Sequence, residues 1–217
     1  LVEGPQSIWV KSPRFIGFGT HTPDVERELW APREWLSTLV ETLTLDESIQ
    51  VSSERDLHEV RIQAGVPCVP SEYHEEVSPL DIGRQGISEG KGCYPGQEVI
   101  ERTIALGRPA KVLIMLRYLG DQSADQDPSI RAQDERSTLT HAIEHTPVSI
   151  TPWRPLADTD AEADEKSRRS SSGQLTSVCA IEHPTLGYRA LGLIKTKDLD
   201  HEVWCTPSGL RFERLTS

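Results

Sequence analysis

Apolar residues follow two different rhythms along this chain. In the first third they recur at helical spacing. Trp35, Leu36, Leu39, Val40 and Leu43 predict a short helix opened by Pro32, with this stripe packed into a core. Ser53 is placed to cap a second helix, with Asp56 three residues on. Leu57, Val60, Ile62 and Ala64 lie inside it, and Gly65 stops it before Pro67. Ahead of both, Ser7–Val10 and Phe15–Phe18 read as extended structure interrupted by Pro13. No internal repeat is visible.

Residues 66–90 carry Pro67, Pro70, Pro79, Gly83, Gly86 and Gly90 and read as loop. Beyond them the pattern turns to that of strands. Val99–Ile104 is β-prone and is broken by Gly107 and Pro109. KVLIMLRYL at 111–119 predicts a strong strand, and Thr146–Trp153 carries a short apolar run bounded by prolines. QLTSVCAIE, YRALGLIKTK, EVWCT and LRFERL follow from Gln174 onward. Turns are expected at His183–Pro184, Asp198–Asp200 and Pro207–Gly209. Several short strands at this spacing predict a small antiparallel barrel or sandwich. Two polar stretches, about 120–142 and 154–172, interrupt it and hold too few large apolar residues to offset the entropy of ordering.

Composition narrows the function classes. The chain has 217 residues, 36% of them hydrophobic, and a formal charge of −11. That charge argues against nucleic-acid binding through the phosphate backbone. Asp121–Lys166 holds eleven acidic and four basic residues, so most of the imbalance sits in one polar region that reads as solvated loop. No stretch approaches the roughly 20 apolar residues of a membrane helix. The opening LVEGPQSIWV lacks the basic and long apolar regions of a secretory signal.

Cys68, Cys93, Cys179 and Cys205 show no CxxC spacing, and the seven histidines form no HExxH. Reduced thiols are therefore expected, with no histidine-based metal centre. One cysteine stands apart, in KGCYPGQE at 91–98. Gly92 and Gly96 bracket a bend there, and Pro95 stiffens it. Lys91 lies two residues from Cys93, and a cation favours the thiolate. Thiolate sulfur is the preferred ligand of iron–sulfur clusters. A lone cysteine cannot hold such a cluster, but it can share one with a partner. The alternative is a buried structural thiol. His74 is the nearest candidate base, and no hydrolase arrangement accompanies it. Gln97 and Glu98 either serve the site or satisfy the loop's own backbone. Arg102 and Lys111 are either contacts for an anionic ligand such as a folate tail or solvated charges.

KGCYPGQEVIERT resembles the K-G-C-Y-x-G-Q-E signature of the YgfZ family, relatives of the glycine-cleavage T-protein (GcvT, an aminomethyltransferase). Seven fixed positions match in one block. SPRFIGFG at 12–19 is similar to the family's D-P-R-x-x-x-L-G segment, with Ser12 in place of aspartate. RIQAGVP at 61–67 and SPLD at 78–81 resemble the family's helix end and the stretch before the motif. GQLTSV at 173–178 and YRALGLI at 188–194 resemble its final barrel strands. Arg102, Thr103 and Gly107 follow the block as in mitochondrial members.

The resemblance implies an α+β fold with two parts. Residues 1–108 would be the C-terminal part of a GcvT-like folate-binding region carrying the motif. Residues 109–217 would be a small antiparallel β-barrel with polar insertions at about 120–142 and 154–172. It also implies that a folate-binding lobe precedes residue 1 in the family. The function implied is that of an iron–sulfur cluster assembly factor of the mitochondrial matrix. Such a factor supports maturation of [4Fe–4S] proteins alongside an A-type carrier and is an adaptor more than an enzyme. Cys93 would supply the thiolate to a shared cluster, with Lys91, Gly92, Tyr94, Gly96, Gln97 and Glu98 shaping its loop. Tetrahydrofolate is an expected ligand, with Arg102 and Lys111 as contacts. The rival implication is a folate-dependent aminomethyl or one-carbon transferase. Gln63, where T-proteins carry a substrate-contacting glutamate, speaks against it.

Overall fold

A computed structural model describes residues 8–11, 27–84, 87–88, 90–121, 147–153, 171–185 and 187–215. The SPRFIGFG segment, Glu89 and nearly all of the two polar stretches lie outside these residues. The chain resolves into two compact units, Leu1–Val66 and Pro67–Ser217. The loop and helix around the cysteine motif thus group with the barrel, whose first strand starts just after the expected 108/109 division.

The first unit contains an antiparallel pair, β1 (Ile8–Lys11) and β2 (Arg27–Trp30), with Ile8 opposite Trp30 and Lys11 opposite Arg27. Two helices follow, α1 (Arg33–Thr44) and α2 (Glu54–Gln63). Pro32 occupies the N-cap of α1, as its fixed φ suits. The expected burial of the α1 stripe is not what the structure shows. Trp35, Leu36, Leu39 and Leu43 are half-buried, Val40 is exposed, and no α1 residue is fully buried.

Helix α2 forms as its sequence dictates. The Ser53 hydroxyl accepts the Asp56 N–H at 3.2 Å, and the Asp56 carboxylate accepts the Ser53 N–H at 2.8 Å. Each side chain satisfies a backbone donor that the first turn leaves open. At the other end Gly65 takes φ 72°, and the Arg61 guanidinium donates to the Val66 carbonyl at 3.0 Å. Ala64 and Val66 pack with Leu57 and Val60.

The second unit opens with turns. One of them, a 3₁₀ turn at Pro79–Asp81, is capped by Ser78 in the same reciprocal way as α2. The chain then passes through the cysteine motif into α3 (Gln97–Ala105). This helix corrects the β expectation for Val99–Ile104. Valine, isoleucine and threonine favour strands when counted locally. Here Ile100, Thr103 and Ile104 are half-buried while Arg102 between them is exposed, the i, i+3, i+4 spacing of a helix face and not the alternation of a strand.

Six strands then close into an antiparallel barrel: β3 (Lys111–Asp121), β4 (Val148–Pro152), β5 (Gly173–Val178), β6 (Arg189–Lys195), β7 (Val203–Cys205) and β8 (Leu210–Arg214). Their order around the barrel is β3-β6-β5-β4-β7-β8, and β8 returns to β3. Along β3, Ile114, Leu116 and Tyr118 are buried while Leu113, Met115 and Arg117 are half-buried, the period of two that a closed sheet imposes. Ile150, Leu175, Ile194, Trp204, Leu210 and Phe212 complete the core with them. Phe212 lies opposite Tyr118 on one side and Trp204 on the other, and the Tyr118 and Phe212 rings stand 5.5 Å apart. The register slips at Tyr118/Gly120 on β3 and at Leu175/Ser177 on β5, the bulges that bend strands into closure.

Gly173 is where two strands press closest. A Cβ there would strike the Leu193 carbonyl oxygen and stand 2.9 Å from the Ile194 Cα. On the outer side Arg117 pairs with Glu213 directly across the β3–β8 ladder. Arg189 is buried at the start of β6, and burial holds its guanidinium below the usual arginine range, with neighbouring Cys179 acting in the opposite direction.

Candidate functional site

Two left-handed glycines frame the cysteine loop. Gly96 takes φ 84° and forms the N-cap of α3, and Gly90 takes φ 77°. L-residues pay for that conformation through their Cβ, so glycine suits both corners. The glycines with left-handed backbone here are Gly90 and Gly96; Gly92, expected with Gly96 to bracket the bend, is not one of them. The Gln97 N–H donates to the Tyr94 carbonyl at 3.2 Å, and the Ile100 N–H donates to the Gly96 carbonyl at 3.3 Å as the helix begins.

The bend holds Cys93 in the open. Lys91, Gly92, Cys93, Pro95, Gly96 and Glu98 are exposed, while Tyr94 and Gln97 are half-buried. None of the four cysteines forms a disulfide, and Cys93 is the exposed one. Cys179 is buried, and Cys68 and Cys205 are half-buried. Of the two alternatives left by the sequence, a sealed structural thiol does not describe Cys93. His74 lies in a turn of its own, where its Nδ1 accepts the Glu76 N–H at 3.4 Å.

Arg102 is exposed on α3, nine residues beyond Cys93 in sequence. Lys111 starts β3 and is half-buried. Its backbone N–H donates to the Asp81 carboxylate at 3.2 Å, across 30 residues. The other Asp81 oxygen accepts the Ser78 N–H at 3.1 Å. Asp81 is buried and so joins the SPLD turn to the first barrel strand. Lys195 on β6 is the register partner of Lys111, and its ammonium donates to the Ser171 carbonyl.

A second tether was not foreseen. Glu72 is fully buried; its carboxylate accepts the Cys68 N–H at 3.0 Å and the Ser177 hydroxyl of β5. Ser78-Pro-Leu-Asp81 carried a readable signal, the reciprocal cap spacing. Glu72 carried none, because its partner is 105 residues away.

The arrangement can offer one thiolate to a metal and cannot enclose one. Among the described residues no group of three or more His, Cys, Asp or Glu side chains converges as a metal site. Among the described residues no helix is long and apolar enough to cross a membrane. No known family model and no curated protein matches the chain.

Proposed function

We propose that this protein is an assembly factor for [4Fe–4S] proteins that works as an adaptor through Cys93. The observation that carries the reading is an exposed free thiol at a glycine-framed corner, two residues from Lys91 and directly ahead of a helix. The resemblance of the KGCYPGQE block to the YgfZ signature supports its partner class, an A-type iron–sulfur carrier in the mitochondrial matrix. The cluster is cargo. The Cys93 thiol releases its proton to solvent, and the sulfur donates an electron pair to an iron whose other ligands belong to the carrier. Pro95 and the left-handed Gly96 fix the backbone of the bend on which Cys93 is exposed.

The finer fold assignment belongs to this reading too: a GcvT-like region that leads into the barrel. Folate binding is its second part. The acidic tail of tetrahydrofolate is the natural counterpart of Arg102 and Lys111.

Mixing the protein with a [2Fe–2S]-loaded A-type carrier and recording the visible absorption tests the main claim. The wild type should alter the cluster's bands and slow its loss, and Cys93→Ser should abolish both effects. Identical spectra for the two proteins would remove the proposed role.

A further inference from the structure

Helix α3 presents large aliphatic side chains to solvent beside the cysteine loop. Val99 is 64% exposed and Leu106 is 73% exposed. Leu106 is the C-cap of α3 and still helical in backbone, so a separation of seven residues, about two turns, puts it on the same side as Val99. Arg102, exposed and three residues from Val99, lies between them. Ile100 and Ile104 take a different side and are half-buried. A nine-residue helix thus uses one apolar side for packing and leaves a second one in water. Single exposed aliphatics are ordinary; a pair aligned along one helix face next to a reactive group calls for an occupant.

Charge indicates which occupant. The chain carries −11 overall, yet residues 90–111 hold four basic and two acidic side chains, a local balance of +2. Lys91, Arg102, Arg108 and Lys111 supply it. A ferric [2Fe–2S] core of charge +2 held by three carrier thiolates would be a monoanion whose fourth, water-held iron position the Cys93 sulfur takes. A partly apolar segment whose exposed charges are Lys91, Arg102 and Arg108 against Glu98 and Glu101 fits an anionic, cluster-bearing partner better than it fits a second copy of this acidic chain.

We propose that the outer face of α3, built from Val99, Arg102 and Leu106, is the docking surface for the cluster-loaded carrier, with Cys93 at its edge. This rests on the function proposed above. The aliphatic pair supplies contact area, the local cations set orientation and association rate, and the thiol completes the cluster once the partner is seated.

The test uses the full chain and a [2Fe–2S]-loaded A-type carrier, with affinity followed by calorimetry and the cluster by absorption. Val99→Asp and Leu106→Asp should each weaken binding about tenfold or more, with the near-ultraviolet dichroism of the fold unchanged. Arg102→Glu should mainly slow association, and added salt should erase its difference from wild type. Cys93→Ser should lose the spectral change yet retain measurable docking. Wild-type affinity in both aspartate variants, with the Cys93→Ser spectral loss intact, would overturn the docking face and leave the function standing. No effect of Cys93→Ser would overturn the function itself. Concentration-dependent dimerisation of the wild type that Leu106→Asp abolishes, without a change in carrier affinity, would assign the face to a second copy and overturn the proposal.

Discussion

The Ser177 hydroxyl donates to the Glu72 carboxylate inside the second unit, joining a turn near its start to strand β5. Both residues are buried. The same carboxylate accepts the Cys68 N–H, so it organises its own turn while reaching the barrel.

Ser177→Ala should therefore destabilise the second unit by about 1–3 kcal/mol, the cost of stripping a donor from a buried acceptor. Glu72→Ala should cost more, since it also removes the acceptor of the Cys68 N–H and leaves a cavity. Urea denaturation followed by tryptophan fluorescence reads both.

Two glycines should respond to alanine for different reasons. At Gly96 a Cβ meets nothing within 4 Å, so only the left-handed backbone opposes it, costing about 1–2 kcal/mol. At Gly173 the Cβ would collide with backbone of β6, which cannot swing aside. Gly173→Ala should cost more than Gly96→Ala and broaden the amide spectrum of the barrel, as denaturation midpoints and two-dimensional NMR would show.

Thiol reactivity should rank with exposure. In the native protein a disulfide probe should label Cys93 first and Cys68 and Cys205 more slowly. Cys179 should react only on unfolding, since it is sealed and its thiol donates to the Ile181 carbonyl at 3.2 Å. Cys93→Ser should delete the fast phase and nothing else. Retention of that phase in the variant would show another thiol to be the accessible one.

Acid should loosen the start of α2. The backbone N–H and hydroxyl of Ser53 hold the Asp56 carboxyl below its ordinary value of 3.8. A depressed folded-state value means stability present above 3.8 and lost as pH falls through the lower folded value. Asp46 is lowered in the same direction, by Ser48. Asp56→Asn should flatten that part of the acid profile, read as amide-exchange protection in α2 at matched pH.

Much of this fold is written in short-range pattern. The barrel strands from Lys111 onward fall where their short apolar runs do, and the Ser53–Asp56 cap is visible as two letters three apart. The openness of Cys93 follows from its glycine and proline neighbours. Three features were not legible. Helix α3 is built largely from β-favouring residues, and the helix wins because Gly96 turns the chain and Ile100 and Ile104 share a packed side. The α1 stripe looks like core yet stays half-buried, since periodicity tells which residues align and not what covers them. The Glu72–Ser177 and Asp81–Lys111 ties join residues far apart in sequence, where no local rule reaches.

Every strand of the barrel has a neighbour on each side, because β8 returns to β3. Such a ring offers no ragged rim onto which a foreign peptide could add itself by backbone ladders. Whatever meets this part of the molecule must read it through side chains and through the turns and helix that lead into it. Under the function proposed above, recognition would fall on the short stretch of chain that carries the exposed Cys93.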